Sequence, residues 1–141
     1  MTTQPCISIK NSLNACVVVS DLQAGIDWYQ RVLGFQPVQR HRYDSYGVDV
    51  AYLRRQDMEL ELVQPPAPKP AHRDDPPGGH LALRGISQLS LRVTDMDTAV
   101  QQLKEQGVMI IFGPLYAEEF NLNACFIRDC DDNLIEFIQR L

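Results

Sequence analysis

A chain of 141 residues and 16.0 kDa, 45% apolar and 22% charged, has the size and balance of one globular domain. It is long enough to bury roughly two-thirds of the surface its unfolded form exposes, with no need of disulfides or a structural metal. Thirteen Lys and Arg against eighteen Asp and Glu leave a net charge of −5 without any basic cluster, which argues against nucleic acid and anionic membrane as partners.

Residues 1–10 carry no basic region followed by an apolar run, and no stretch of about eighteen apolar residues occurs anywhere, so a cytoplasmic protein outside the membrane is expected. Cys6, Cys16, Cys125 and Cys130 form no Cys-x-x-Cys pair and read as small, mostly buried thiols of a reducing compartment.

In chain order, the β-branched alternation of residues 13–20 predicts a strand that delivers the chain to Ser20-Asp21, a pair suited to cap a helix. Leu22, Ile26, Tyr29 and Leu33 then recur at the spacing of one buried helical stripe, and Gly34 supplies a left-handed stop. Shorter alternations at 36–43, 48–54 and 57–64 predict three strands. Residues 65–80 hold six of the nine prolines plus Gly78 and Gly79, a linker composition in which His72, Arg73, Asp74 and Asp75 read as solvated. The pattern then repeats. A strand at 86–93 leads to Thr94-Asp95, a helical stripe follows through Met96, Ala99, Val100 and Leu103 to Gly107, and three more strands are predicted at 109–112, 123–128 and 133–139.

Asp21 and Asp95, Gly34 and Gly107, and Glu61 and Glu136 stand 73 to 75 residues apart, the signature of a duplicated module with small length changes in its loops. The fold expected is α+β, two βαβββ modules in one domain over 1–141: module one at about 13–64, the linker at about 65–84, module two at about 86–141.

Alternate residues of a strand point to opposite sheet faces. In the closing strands, Leu60 and Leu62 oppose Glu59, Glu61 and Val63, while Ile135 and Phe137 oppose Leu134, Glu136 and Ile138. In the opening strands Asn14 and Gln88 share the faces away from the helices, as do Cys16 and Arg92. Any one of these polar groups alone reads as a solvated side chain. Two carboxylates and two amides at matched places beside apolar neighbours fit a lined cavity instead, where paired carboxylates would share a cation or titrate abnormally.

The Val-x-Asp-Leu opening, Trp28-Tyr29, Leu33-Gly34-Phe35 and the ending Asp129-Cys130-Asp131-Asp132-Asn133-Leu134-Ile135-Glu136 resemble the vicinal oxygen chelate superfamily. That superfamily includes glyoxalase I, bleomycin resistance proteins and extradiol dioxygenases. Cys130 and Asp132 stand where its signature has Pro and Gly. The resemblance implies curved mixed sheets enclosing a cavity, a divalent metal at Asn14, Glu61, Gln88 and Glu136, and a homodimer. Asn14 departs from the family pattern, and His41, His72 and His80 fall outside the ligand positions, where exposure is expected. An all-oxygen set of this kind suits Mg²⁺, Mn²⁺ or Ca²⁺ better than Zn²⁺.

The activity implied is a metal-assisted lyase or isomerase acting on a small hydroxycarbonyl compound, with Glu136 or Glu61 moving the proton and the cation stabilising an enediolate-like intermediate. The alternative is a metal-free binder of an aromatic or cationic small molecule, of the bleomycin-resistance type, for which Tyr43, Tyr46, Tyr52 and Tyr116 are available. A third reading is an interaction or sensor domain. Dinucleotide, phosphate-loop and nucleophile-elbow motifs are missing.

Overall fold

The structure is a computed structural model that describes residues 7–10, 12–70 and 73–141; Cys6 and His72 lie outside the described residues. Module one runs β1 (Ala15–Val18), α1 (Leu22–Leu33), β2 (Gln36–Tyr43), β3 (Val48–Arg55) and β4 (Met58–Gln64). Module two runs β5 (Leu89–Arg92), α2 (Met96–Glu105), β6 (Phe112–Ala117), β7 (Leu122–Arg128) and β8 (Leu134–Arg140). Each forms a four-stranded mixed sheet, ordered β1-β4-β3-β2 and β5-β8-β7-β6, whose opening strand pairs parallel with its closing strand.

The opening strands are shorter than the alternation at 13–20 and 86–93 predicts, because parallel pairing covers four residues of each. The strand expected at 109–112 begins only at Phe112 and continues to Ala117, and its register against β7 slips between Phe112 and Leu115.

Both helices start and stop for the reasons the residues suggest. The carboxylates of Asp21 and Asp95 accept from the backbone N–H of Ala24 at 2.7 Å and of Thr98 at 3.0 Å. A second clamp repeats at the next residue, where Gln64 and Gln139 accept through Oε1 from the N–H of Leu22 and of Met96, at 2.7 and 2.8 Å. Gly34 takes φ 71° and closes α1, a conformation a Cβ would penalise.

Leu22, Ile26, Tyr29 and Leu33 are all buried, each adding about 1.5–3 kcal/mol of apolar transfer. They pack with Leu53, Leu60 and Leu62 of their own sheet and with Cys125, Ile127, Ile135 and Phe137 of the other, so that the helix-facing sides of both modules make one continuous core. The opposite sheet faces take no part in it, and the modules therefore sit back to back.

The joint is also polar. The Tyr29 hydroxyl donates to Asp129 Oδ2 at 2.6 Å, Ser20 N–H to Asp131 at 3.1 Å, and Arg31 to the Gln106 carbonyl at 3.0 Å. Asp129 is only 6% exposed and also accepts from Asp131 N–H, Asn133 N–H and the Asn133 amide. The acidic signature of the second half thus works as a turn that anchors a tyrosine of the first.

Candidate functional site

Pairing register decides which polar groups meet on the outward faces. On sheet one, Cys16, Glu61, Tyr52 and Gln39 stand in one row across the strands, and Val63, Val50 and His41 continue the next row beside Val18. On sheet two the row is Ser90, Glu136, Phe126 and Phe112. Asn14 and Gln88 precede β1 and β5 rather than lying within them, so the strand residues directly facing the two glutamates are Cys16 and Ser90.

Sheet two brings three of these groups together. Glu136 Oε2 accepts from the Gln88 amide at 2.9 Å and from the Ser90 hydroxyl at 2.7 Å, while Gln88 Oε1 is buried without a donor. Sheet one is looser. Asn14 is exposed and accepts from the Ser12 hydroxyl at 3.2 Å. Half-buried Glu61 lies between Cys16 and Tyr52; its charge is the main cause of a raised Tyr52 phenol pKa and adds to the effect of burial on the Cys16 thiol.

Around that row the face of sheet one is open and aromatic. Gln39, His41, Tyr43, Val50 and Tyr52 line a hollow of about 250 Å³, the rings of His41 and Tyr43 meet edge to face at 4.6 Å, and Val18 beside them is 49% exposed. A larger cleft of about 990 Å³ lies on the helix side between the modules, lined by Leu33, Phe35, Leu91 and Phe137 with Arg31, Arg55 and Arg92, and contains none of the candidate residues.

As ligands for a resident cation these residues fit poorly within one chain. Glu61 and Glu136 belong to different sheets on opposite sides of a shared core, so one chain cannot bring both to one ion, and no three His, Cys, Asp or Glu side chains converge among the described residues.

Several residues differ from their expected setting. His80 is 7% exposed and its ring packs on Phe126 at 5.5 Å, because the linker folds over sheet two instead of running through solvent. Of the three described cysteines, Cys16 and Cys130 are exposed and Cys125 is buried; all three are free thiols. Asp75, read as solvated, pairs with Arg128, although its own side chain stays open to water. Parity also puts Ser90 on the face of Gln88, but nothing in the sequence singled it out; the register that sets it opposite Glu136 does.

Among the described residues no helix is long and apolar enough to cross a membrane. Residues 12–137 match the family described as the Glyoxalase/Bleomycin resistance protein/Dioxygenase superfamily. The chain is 30% identical over 128 residues to a virulence protein of Salmonella typhimurium, covering 87% of this chain and 79% of that protein. Its fold superposes on a glyoxalase family protein from Enterococcus faecalis with a TM-score of 0.75 at 18% identity, over 93% of this chain and 97% of that one. It is likewise similar to TnmS3, an antibiotic binding protein from Streptomyces sp. CB03234, with a TM-score of 0.68 at 26% identity, over 96% of this chain and 99% of that one. Two βαβββ modules, their repeated caps and clamps, and the match over residues 12–137 agree: the chain belongs to the glyoxalase/bleomycin resistance protein/dioxygenase superfamily.

Proposed function

We propose that this protein binds a small aromatic cation, holding it against the outward face of sheet one, with Glu61 as counter-charge and Tyr52, Tyr43 and His41 as stacking surface. The observation that carries the reading is the hollow those rings line, with the Glu61 carboxylate beside Tyr52 at its edge, since a cation over an aromatic face gains about 0.5–2 kcal/mol and a nearby carboxylate adds to it. The similarity to an antibiotic binding protein supports it. The back-to-back core turns both sheet faces outward, so a homodimer that sets the Glu61 face of one copy against the Gln88, Ser90 and Glu136 face of another would close a cavity with a carboxylate on each wall.

The metal-assisted lyase or isomerase, with Asn14, Glu61, Gln88 and Glu136 as ligands, has less support, because Glu61 and Glu136 stand on different sheets with the shared core between them and Asn14 is bound locally. Fluorescence titration with proflavine, a planar aromatic cation, tests the reading. Saturable binding unchanged by a chelator is expected, with Glu61→Gln and Tyr52→Ala each weakening it about tenfold, or about 1.4 kcal/mol. Absence of binding, or binding that needs Mg²⁺, Mn²⁺ or Ca²⁺ and is lost on chelation, would overturn it.

A further inference from the structure

The two outward faces differ in one respect: that of sheet one is open, whereas that of sheet two is covered around Phe126 by the chain's own linker. Pro76 is buried, the short helical turn Gly79–Leu81 lays His80 against Phe126, and the Ser87 hydroxyl donates to the His80 carbonyl at 2.9 Å. Phe126 is the strand neighbour of Glu136. The linker therefore stands at the Phe126 end of the row that carries Glu136, while Ser90 at its other end stays exposed.

That cover is badly paired. Three buried side-chain atoms lack a hydrogen-bond partner among the described residues, Arg73 Nη1, His80 Nδ1 and Gln88 Oε1, and all three belong to the linker or to the edge of the face beneath it. A polar atom buried without a hydrogen-bond partner carries an energetic cost.

Against this, one contact holds the segment from outside. Arg128, on the same sheet face, donates to Asp75 through Nε at 3.2 Å and through Nη2, and Nη2 also reaches the Arg73 carbonyl at 3.3 Å. The Asp75 side chain is 66% exposed and that of Arg128 18%, so water reaches the carboxylate end of this pair and screens it.

We propose that residues 73–87 form a displaceable plug, latched by Asp75 on Arg128, that occupies the module-two side of the binding cavity and must lift before that face can engage a ligand. This rests on the small-molecule reading above. Apparent affinity then scales with the fraction of molecules whose plug is up. Weakening the latch should tighten binding, and improving the fit of the plug should weaken it.

Two variants with opposite expected signs test this. Asp75→Asn removes the latch charge at an exposed site; His80→Phe removes one unpartnered atom and keeps a ring on Phe126. Without any ligand, diethyl pyrocarbonate labelling read by peptide mass should modify His80 far more slowly than exposed His41 in the wild type, and about fivefold or more faster in Asp75→Asn. Proflavine should bind Asp75→Asn at least threefold more tightly than wild type and His80→Phe more weakly. Equal His80 labelling in wild type and Asp75→Asn would overturn the latch. Faster labelling with unchanged affinity would overturn the gating, leaving the segment a mere surface cover. No proflavine binding by any of the three proteins, with His80 labelling still accelerated, would instead sink the small-molecule reading itself, and the gating with it.

Discussion

Replacing Tyr29 by Phe removes one oxygen from the joint between the modules and leaves the ring, its edge-to-face contact with Trp28 at 5.0 Å and its surrounding apolar packing in place. What is lost is a 2.6 Å bond to a carboxylate that is almost fully buried. Hydrogen bonds to charged groups contribute about 1.5–3 kcal/mol, and because Asp129 keeps three other donors the lower end applies, about 1.5–2 kcal/mol. For a domain of this size that corresponds to a fall of roughly 5 °C in Tm. Thermal melting followed by circular dichroism, repeated on Asp129→Asn and on the double variant, gives the coupling directly, and it should be about 1 kcal/mol or more. A Tm drop below about 1 °C for Tyr29→Phe, or additive effects in the cycle, would refute the idea that this bond ties the modules together.

The same joint sets a pH dependence on the alkaline side. Burial first, and then the charge of Asp129, pushes the Tyr29 phenol well above its usual range, while burial lifts the Cys125 thiol to about 11. Each group keeps its proton in the fold at a pH where the unfolded chain releases it, so stability is intact below about pH 8.5 and falls as pH rises further, Tyr29 contributing about 1.4 kcal/mol per unit once above about pH 10. Melts between pH 7 and 10.5 should show the decline, and Tyr29→Phe should flatten it; a wild-type midpoint constant across that range would contradict the assignment. Cys130 is pushed up to about 12, again by burial first, but its exposure to water makes its share smaller. Gly113 holds φ 86° with the site of a Cβ 2.6 Å from the Ala124 carbonyl oxygen, so Gly113→Ala should lose at least about 2 kcal/mol through strain and overlap together. Denaturant midpoints measure that loss, and an unchanged midpoint would mean β6 can shift away from β7.

Local periodicity carried most of the fold. The stripe Leu22, Ile26, Tyr29 and Leu33, the caps at Asp21 and Asp95 and the stop at Gly34 are decided within a few residues of chain, and all stand as read. Side-chain parity likewise placed Gln88 on the face of Glu136, which it does reach. Register is a different kind of information, because it depends on where the partner strand begins; this is why Asn14 and Gln88 fall outside β1 and β5, and why Ser90 rather than Gln88 faces Glu136 directly. Composition failed most at the linker. A Pro-rich, charged segment reads as solvated, but a surface waiting for it, built from Phe126 and Arg128 some fifty residues later, draws Pro76 and His80 inward. The exposure of Cys16 has the same origin, for the thiol lies on the face that the shared core leaves outside.

The glutamine clamps give the duplication a mechanical sense. Gln64 and Gln139, near the end of each module, grip the first turn of that module's helix, so the chain ties off each half before leaving it. A unit closed in this way keeps its own hydrogen-bonding ledger whatever follows it in sequence. Both clamps lie inside their modules, so a change in the segment between them leaves both helix starts paired.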